Sequence, residues 1–527
     1  MAKVLVSDPV AAEGVALLRH AGHDVDEIHG LPKDELIRII GGYDALAVRS
    51  ETKVTADVLE AAKSLKIIGR AGVGVDNIDV EQATRQGVLV VNSPEGNTIA
   101  AAELTVTLLL ALSRNVPQAH ATMKAGEWKR SKYVGVEVFR KSVGVIGLGK
   151  IGREVARRLI GLEMTVLGYD PFLSKEQADA MGVRLVDLDT LYRGADFITV
   201  HVPKTKETAG MVGPAEFAKM KDGVRVINVA RGGIIQEGAL LDALNAGKVA
   251  GAAIDVWEKE PVEPESPLAL HPNVVATPHL GASTEEAQVG VAVDIANQIV
   301  EVLAGRPATA AVNMPSLAPD VLAATAPYLN LAEKIGSMQS QLSTSGIHSV
   351  EVRYEGDFAS SQTVHLTRAL MKGLLEPILS SVNYVNAPAL AQQRGIRLTE
   401  ARTGAESPES PDRITVTAYA NSGKSCMITG TVFGTKARIV GIDEYGVDFA
   451  PEGVLIVTQH TDRPGIVGRV GTLLGERGVN IAGMYLGRAA PMGHAVMALS
   501  VDTPAPADVL QSLAAMDGME VVRQVEL

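Results

Sequence analysis

One cysteine in 527 residues, Cys426, leaves the chain unable to form an intrachain disulfide or a cysteine-clustered metal site, and that scarcity fits a reducing compartment. A long basic run is missing too. With charged residues at 21% and a formal net charge of -12, no segment offers the cationic surface that nucleic acid or an anionic membrane would need. The most apolar stretch, Leu104 to Leu112, is far too short to span a bilayer. The N-terminal MAKVLVSDPV carries Asp8 and Pro9 where a signal peptide needs an unbroken apolar core, so it reads as a first β-strand. These absences predict a soluble cytoplasmic protein with no metal site, no nucleic-acid partner and no membrane partner. An anionic substrate would need a locally basic pocket.

What is present is a dinucleotide fingerprint. Val143 to Asp170 reads VGVIGLGKIGREVARRLIGLEMTVLGYD: an apolar strand, a glycine turn, a helix with apolar periodicity, and a second strand ending on an acid. Gly147 allows the tight turn, Gly149 clears a path to a pyrophosphate, and Gly152 lets the helix pack closely on its strand. The helix start, at Lys150 and Ile151, presents unpaired N–H groups to phosphates. Glycines at this spacing are weak evidence alone; strand before, helix after and acid at the end make the case. Asp170 stands where an acid bonds ribose hydroxyls and repels a 2′-phosphate, which predicts NAD over NADP. A capping role for Asp170 stays open because Pro171 follows.

The length predicts three to five domains. From Lys3 to Val91 the runs KVLVSD, ALAVRS, LKIIGRAG and VLVVNS alternate with helical stretches, the pattern of a parallel sheet wrapped by helices. After Asn97 an apolar helix leads into the fingerprint, and DFITVHVP, VRVINVARG, VAGAAIDVW and NVVATPH continue a second parallel-sheet unit. Ser283 to about Arg306 is one helical pattern expected to pack back on the first unit. Pro307 to about Pro319 reads as a crossover. Beyond it come helix, strand and hairpin signals with no catalytic constellation, and the polar TGAESPESPD is expected to be an exposed loop. Gly453 to Leu527 reads βαββαβ, a ferredoxin-like module of regulatory size. The predicted class is α/β, with two Rossmann-like or flavodoxin-like parallel-sheet domains followed by an α+β domain and the ferredoxin-like unit. The expected boundaries are 1–97 with 283–315, 98–282, 316–452 and 453–527.

Downstream of the fingerprint, NVARGG holds Arg231, AAIDVWEKEP holds Asp255 and Glu260, and ATPHLGAS holds His279, each after a predicted strand. Loops at the carboxyl ends of such strands converge over a dinucleotide. Taken singly, Arg231 reads as a surface charge, Glu260 as a solvated acid and His279 as a core histidine. Together they make a proposal for hydride chemistry. A hydroxyl that becomes a carbonyl loses a proton as its hydride leaves, and histidine takes protons near neutrality. Glu260 would fix and stabilise the imidazolium, and Arg231 would hold a substrate carboxylate.

Through these motifs, over roughly Lys3 to Arg306, the chain resembles the D-2-hydroxyacid dehydrogenases. The resemblance implies Arg231, Glu260 and His279 as the catalytic set. It also implies Asp255 at the nicotinamide carboxamide and the Val229-Ala230 and Gly281-Ala282 backbone at the cofactor, beside Arg231 and His279. His201 of TVHVPKT, the rival base, keeps a structural reading.

The first unit narrows the substrate. Arg49-Ser50 and the Arg70 to Gly74 loop follow strands, and Asn97 precedes the crossover helix. Gly72 and Gly74 cannot be a second fingerprint, because the next glycine position holds Asn77, so with Val73 they read as a backbone nest for a carboxylate. Arg49, Arg70 and Arg130 would bring positive charge for a phosphorylated substrate, although exposed arginines also occur merely solvated. GRAGVGVDNID, NTIAAAE and GEWKRSKYVG resemble the long-form members of the family that oxidise 3-phosphoglycerate to 3-phosphohydroxypyruvate at the start of serine synthesis. That resemblance implies an intervening domain with a candidate allosteric anion site, a terminal ACT domain, a homotetramer, and L-serine as a feedback inhibitor. The serine residues it implies are His460, Asp462 and Asn480. Two alternatives stand: a hydroxypyruvate or glyoxylate reductase of the same fold, and a non-catalytic amino-acid sensor, against which the complete Arg, Glu and His set argues.

Overall fold

The computed structural model describes residues 1–315, 319–358, 360–404 and 412–527. Four sheets follow one another along the chain. The first holds β1 (Lys3–Val6), β2 (Asp24–Glu27), β3 (Ala45–Val48), β4 (Ile67–Arg70) and β5 (Leu89–Asn92), all parallel, in the order β2-β1-β3-β4-β5. That is the flavodoxin-like order. Its strands β3 and β4 are almost wholly buried because helices cover both faces, which explains their continuous apolar runs. The polar edge strand β2, DVDE, carries no such run and was not expected.

The second sheet holds β6 (Ser142–Ile146), β7 (Thr165–Tyr169), β8 (Arg184–Leu185), β9 (Phe197–Val200), β10 (Val224–Asn228), β11 (Val249–Ile254) and β12 (Val274–Ala276). Its order, β12-β11-β10-β9-β6-β7-β8, reverses between β6 and β9, the Rossmann arrangement. The helix Thr98–Ser113 buries Leu108, Leu109 and Leu112 in this unit's core, and the helix Glu285–Leu303 crosses back to the first. A Cβ on Gly14 of the helix Ala12–His20 would come within 2.7 Å of the Ala292 carbonyl oxygen, so glycine permits that close helix crossing. Beyond Pro307 the chain does not leave at once: Val312 N–H donates to the Val90 carbonyl at 2.7 Å, laying this segment along β5.

The third sheet, β14-β13-β15-β16-β17-β18, combines β13 (Ile347–Glu355), β14 (Arg397–Thr403), β15 (Arg413–Ala420), β16 (Ser425–Phe433), β17 (Lys436–Ile442) and β18 (Tyr445–Phe449). Helices Pro319–Leu342 and Ser360–Leu375 pack on it. The exposed edge strand β14 was not anticipated, and most of the expected loop TGAESPESPD lies outside the described residues, as do residues 316–318 of the expected crossover. The last sheet, β20-β21-β19-β22, is built from β19 (Val454–Thr461), β20 (Ile481–Arg488), β21 (His494–Val501) and β22 (Met519–Glu526), with two helices in the expected βαββαβ order.

These two units share one apolar core, in which Ile442 and Phe449 join Leu455, Val457 and Val525. The third unit also grips the first: Asn383 Nδ2 donates to the Gly87 carbonyl at 2.9 Å, and Val385 joins the first sheet's core. Among the described residues no single helix is long and apolar enough to cross a membrane.

Candidate active site

The carboxyl ends of the first two sheets face one another across a cleft. On the nucleotide-type side, Gly147 leaves β6 at φ +90, and a Cβ there would lie 2.5 Å from the His201 carbonyl oxygen. A Cβ on Gly152 would collide with the Gly147 carbonyl, so the turn and the helix Lys150–Gly161 are held as close as glycine allows. Gly149 caps that helix with no side-chain hydrogen bond, and nothing lies within 4 Å of a Cβ placed there, so the first amides of the helix are left for another partner. The cradle therefore fits a dinucleotide's pyrophosphate. Lys150 Nζ meets Glu95 Oε1 at 2.7 Å.

Asp170 follows β7. Its Oδ2 accepts Leu148 N–H at 2.9 Å and its Oδ1 accepts Phe172 N–H at 2.9 Å, so the carboxylate braces the glycine turn as well as ending the strand. A carboxylate offers about four acceptor sites, which leaves capacity for ribose hydroxyls. His201, after β9, bonds Thr199 Oγ1 at 2.9 Å, and burial of its imidazole pushes its pKa down to about 4. It is held neutral, in keeping with its structural reading.

The turn after β10 is stapled by buried Asn228, which accepts Ala230 N–H and donates to the Arg231 carbonyl, both at 3.0 Å. Val229 and Ala230 thus have a fixed backbone path. After β11 comes Asp255. The side chain has no exposed surface. Its Oδ1 accepts Thr277 Oγ1–H at 2.6 Å and Leu280 N–H at 2.8 Å, and its Oδ2 accepts Gly281 N–H at 3.0 Å. A buried carboxylate needs partners, and the 277–281 loop supplies them. Asp255 therefore fixes the loop that bears His279 and leads into Gly281 and Ala282.

His279 Nδ1 lies 2.7 Å from Glu260 Oε2, and Glu260 Oε1 accepts Trp257 N–H at 3.0 Å. Trp257 Nε1 in turn donates to the Thr277 carbonyl at 3.1 Å, tying the two loops together. Burial pushes the Glu260 carboxyl up, but the His279 and Trp257 hydrogen bonds and the nearby Arg231 charge outweigh it and hold it below its ordinary value. Glu260 is thus a carboxylate, so Nδ1 carries the hydrogen and Nε2 is left with a free lone pair.

Arg231 reaches across the cleft. Its Nε donates to Asp76 Oδ2 at 3.1 Å, and its guanidinium packs directly on Gly74, where a Cβ would make it move. Arg70 is folded against Gly72, beside Val73. Burial, then the Arg231 charge, push its pKa down to about 10, which leaves it cationic, and its Nε is buried with no partner. Asn97 begins the crossover helix, with its Oδ1 likewise buried and unpartnered. Arg49 and Ser50 follow β3 on a loop held by Asp8, whose carboxylate accepts Arg49 N–H at 2.6 Å and Thr52 N–H at 3.0 Å. Asp8 and Asp76 were not anticipated as site residues. Arg130 sits on the exposed turn Arg130–Tyr133, and no contact that ties it to the Arg49, Arg70 and Arg231 loops is seen among the described residues.

The expected serine trio is also dispersed within this chain. His460 is fully buried in β19, its Nδ1 3.3 Å from Thr458 Oγ1 and its Nε2 unpartnered. Asp462 accepts Arg488 at 3.0 Å, while Asn480 donates to Asp502 at 2.7 Å. His460 points into the sheet because its place in the strand's alternation faces the core.

Against known families, residues 106–281 match the D-isomer specific 2-hydroxyacid dehydrogenase NAD binding domain, residues 324–443 the D-3-phosphoglycerate dehydrogenase intervening domain, and residues 453–518 the ACT domain. Among curated proteins, the chain is 49% identical to a D-3-phosphoglycerate dehydrogenase of Archaeoglobus fulgidus, over 100% of both chains. It is 43% identical to that of Bacillus subtilis, again over 100% of both. Among solved structures, the D-lactate dehydrogenase of Escherichia coli matches with a TM-score of 0.54 and 27% identity, covering 59% of this chain and 99% of that one. An NAD-dependent formate dehydrogenase of Staphylococcus aureus, solved with NAD, matches with a TM-score of 0.53 and 29% identity, covering 58% and 96%.

Proposed function

Because the chain belongs to the D-3-phosphoglycerate dehydrogenases, we propose that its cleft oxidises 3-phosphoglycerate to 3-phosphohydroxypyruvate with NAD through Arg231, Glu260 and His279. The observation that carries this reading is the 2.7 Å pair between Glu260 and His279, set beside Arg231 and across the cleft from Arg70. NAD supplies the hydride acceptor when bound. His279 Nε2 takes the proton of the C2 hydroxyl while the C2 hydride leaves, and Glu260 steadies the resulting imidazolium. Arg231 holds the substrate carboxylate and polarises the forming carbonyl. The unpartnered Nε of Arg70, with Arg49 and the Val73–Gly74 backbone, offers the positive charge a phosphate needs.

Gly147, Gly149, Gly152 and the amides of Lys150 and Ile151 would hold the pyrophosphate, with Asp170 at the adenosine ribose and the Val229–Ala230 and Gly281–Ala282 segments flanking the cofactor. We divide the chain into a substrate unit, 1–97 with 283–315, an NAD unit, 98–282, an intervening unit, 316–452, and an ACT unit, 453–527. The ACT match supports L-serine as a feedback inhibitor, for which His460, Asp462 and Asn480 stay the candidate residues although one chain alone does not bring them together. A cytoplasmic homotetramer belongs to the same reading.

The test is NADH formation by the purified full chain from 3-phosphoglycerate, with glycerate as control. Turnover of 3-phosphoglycerate alone is expected. Equal turnover of glycerate would favour a reductase of unphosphorylated acids, and no turnover of either would favour a sensor. L-serine should inhibit the full chain; undiminished activity at millimolar serine would remove the regulatory part only.

A further inference from the structure

Where the helix Pro319–Leu342, the third sheet and the last sheet meet, the protein forms a partly open cavity of about 110 Å³. Its walls include Ala418, Ile442, Val457 and Val496, and its polar lining includes Gln339, Asp443 and Gln459, with Cys426 beside them and Lys424 at the exposed rim. Two of these groups have unused acceptor capacity. Gln339 donates through Nε2 to the Val416 carbonyl at 2.8 Å and the Cys426 carbonyl at 3.0 Å, and its Oε1 is buried with no partner. Asp443 accepts Met427 N–H at 2.8 Å and Gln459 Nε2–H at 3.2 Å, leaving lone pairs on both oxygens. Among the described residues no lysine or arginine forms an ion pair with Asp443, and burial pushes its carboxyl up. A half-buried carboxylate beside an orphaned amide oxygen is short of donors and of positive charge.

We propose that this cavity binds a small α-amino acid, its ammonium against Asp443 and the Gln339 carbonyl oxygen and its carboxylate toward Lys424. An ammonium brings donors for the unused lone pairs of these two acceptors and the positive charge that Asp443 has no partner for. The cavity exceeds the roughly 30 Å³ share of one liquid water and suits a ligand of few heavy atoms, so glycine, alanine and serine are the fitting class. The site is separate from the Asp462 and Asn480 surface and goes beyond the effector reading above. Its ligand would touch the third and last sheets together and so brace one unit against the other.

Cys426, the only cysteine of the chain, gives the cavity its own reporter. Burial pushes its thiol up to about 12, so labelling with a small neutral alkylating reagent at mildly alkaline pH is slow and easily timed. In the full-length protein, L-serine, glycine or L-alanine is expected to slow labelling by roughly tenfold at ten times its Kd. Asp443→Asn keeps the shape and should raise the Kd at least about tenfold. Lys424→Met, on the exposed rim where folding is not at stake, should also weaken protection, and Asn480→Ala should leave it unchanged. Protection that survives both Asp443→Asn and Lys424→Met would overturn the proposal, as would no protection by any of the three amino acids at millimolar concentration. Serine that binds by calorimetry without shielding Cys426 would sink the cavity and leave the effector surface standing. Shielding that persists in Asn480→Ala would support the cavity whatever becomes of that surface.

Discussion

Two alanine substitutions two residues apart should separate folding from cofactor binding. At Gly147 the backbone is at φ +90, and an added Cβ would meet the His201 carbonyl oxygen at 2.5 Å and the Val202 Cγ1 at 2.8 Å. The left-handed conformation costs roughly 1–2 kcal/mol for a side chain, and the collision adds typically about 1–3 kcal/mol, since a strand-end carbonyl cannot yield. Gly147→Ala should therefore destabilise the nucleotide unit by about 2–5 kcal/mol, which for a unit of this size lowers Tm by on the order of 10 °C. Gly149 sits at φ -66 with nothing within 4 Å of its added Cβ. Gly149→Ala should keep the wild-type Tm. Its methyl group would instead stand where amides approach the pyrophosphate, and losing one charge-assisted hydrogen bond weakens NADH by roughly ten- to hundredfold. Scanning calorimetry and NADH fluorescence titration of both variants read the two effects. A Gly147→Ala protein as stable as wild type, or a Gly149→Ala protein that binds NADH normally, would refute the assignment of separate duties to the two glycines.

His279→Ala should lose roughly two to four powers of ten in kcat with NADH binding nearly intact, and wild-type turnover would remove His279 as the base. Glu260→Gln should slow turnover less. Because the Glu260 carboxyl is held below its ordinary 4.5, the stability it contributes is present above that value and lost as pH falls through the lower folded value. Melting curves of wild type and Glu260→Gln should thus differ at neutral pH and converge in acid, and a constant difference down to pH about 3 would contradict the pairing. Asp170→Ala should weaken NAD and narrow the preference over NADP, read as the ratio of kcat/KM for the two cofactors; an unchanged ratio would leave Asp170 only its hydrogen bonds to Leu148 and Phe172.

Much of the architecture was legible because local patterns reported it directly. The fingerprint from Val143 to Asp170 combined two strands, a helix and three glycines, and the βαββαβ order of the last unit followed from alternation and helical period alone. The missed strands carry no apolar alternation: β2 reads DVDE at an edge, β8 is two residues long, and β14 is exposed along its whole length. At the site, residues following strands could be gathered by topology, which is how Arg70, Arg231, Glu260 and His279 came to attention. What topology cannot give is who bonds whom. Asp8 was visible only as a break in an apolar run, yet it organises the Arg49 loop. Asp255 lay in a suspect motif, and only its burial tells that it serves the loop of His279. Arg130 had the right charge and the right kind of loop, but nothing in its neighbours could say that the turn is exposed and makes no contact with the other arginines' loops.

Asp76, held 3.1 Å from Arg231, puts an acidic group of one half of the molecule on the arginine of the other. The guanidinium is therefore already aimed, already partly stripped of water and already neutralised before any substrate arrives. If Arg231 is the substrate's anchor, binding is an exchange of carboxylates, with Asp76 as the placeholder that steps aside into solvent. Affinity then reflects the difference between two similar pairs, so changing ionic strength, which screens both, should shift it less than the cluster of arginines would suggest. The same exchange unfastens the one ion pair that Arg231 makes across the cleft, so the arrival of the anion and the freedom of the two halves to adjust around it are a single event.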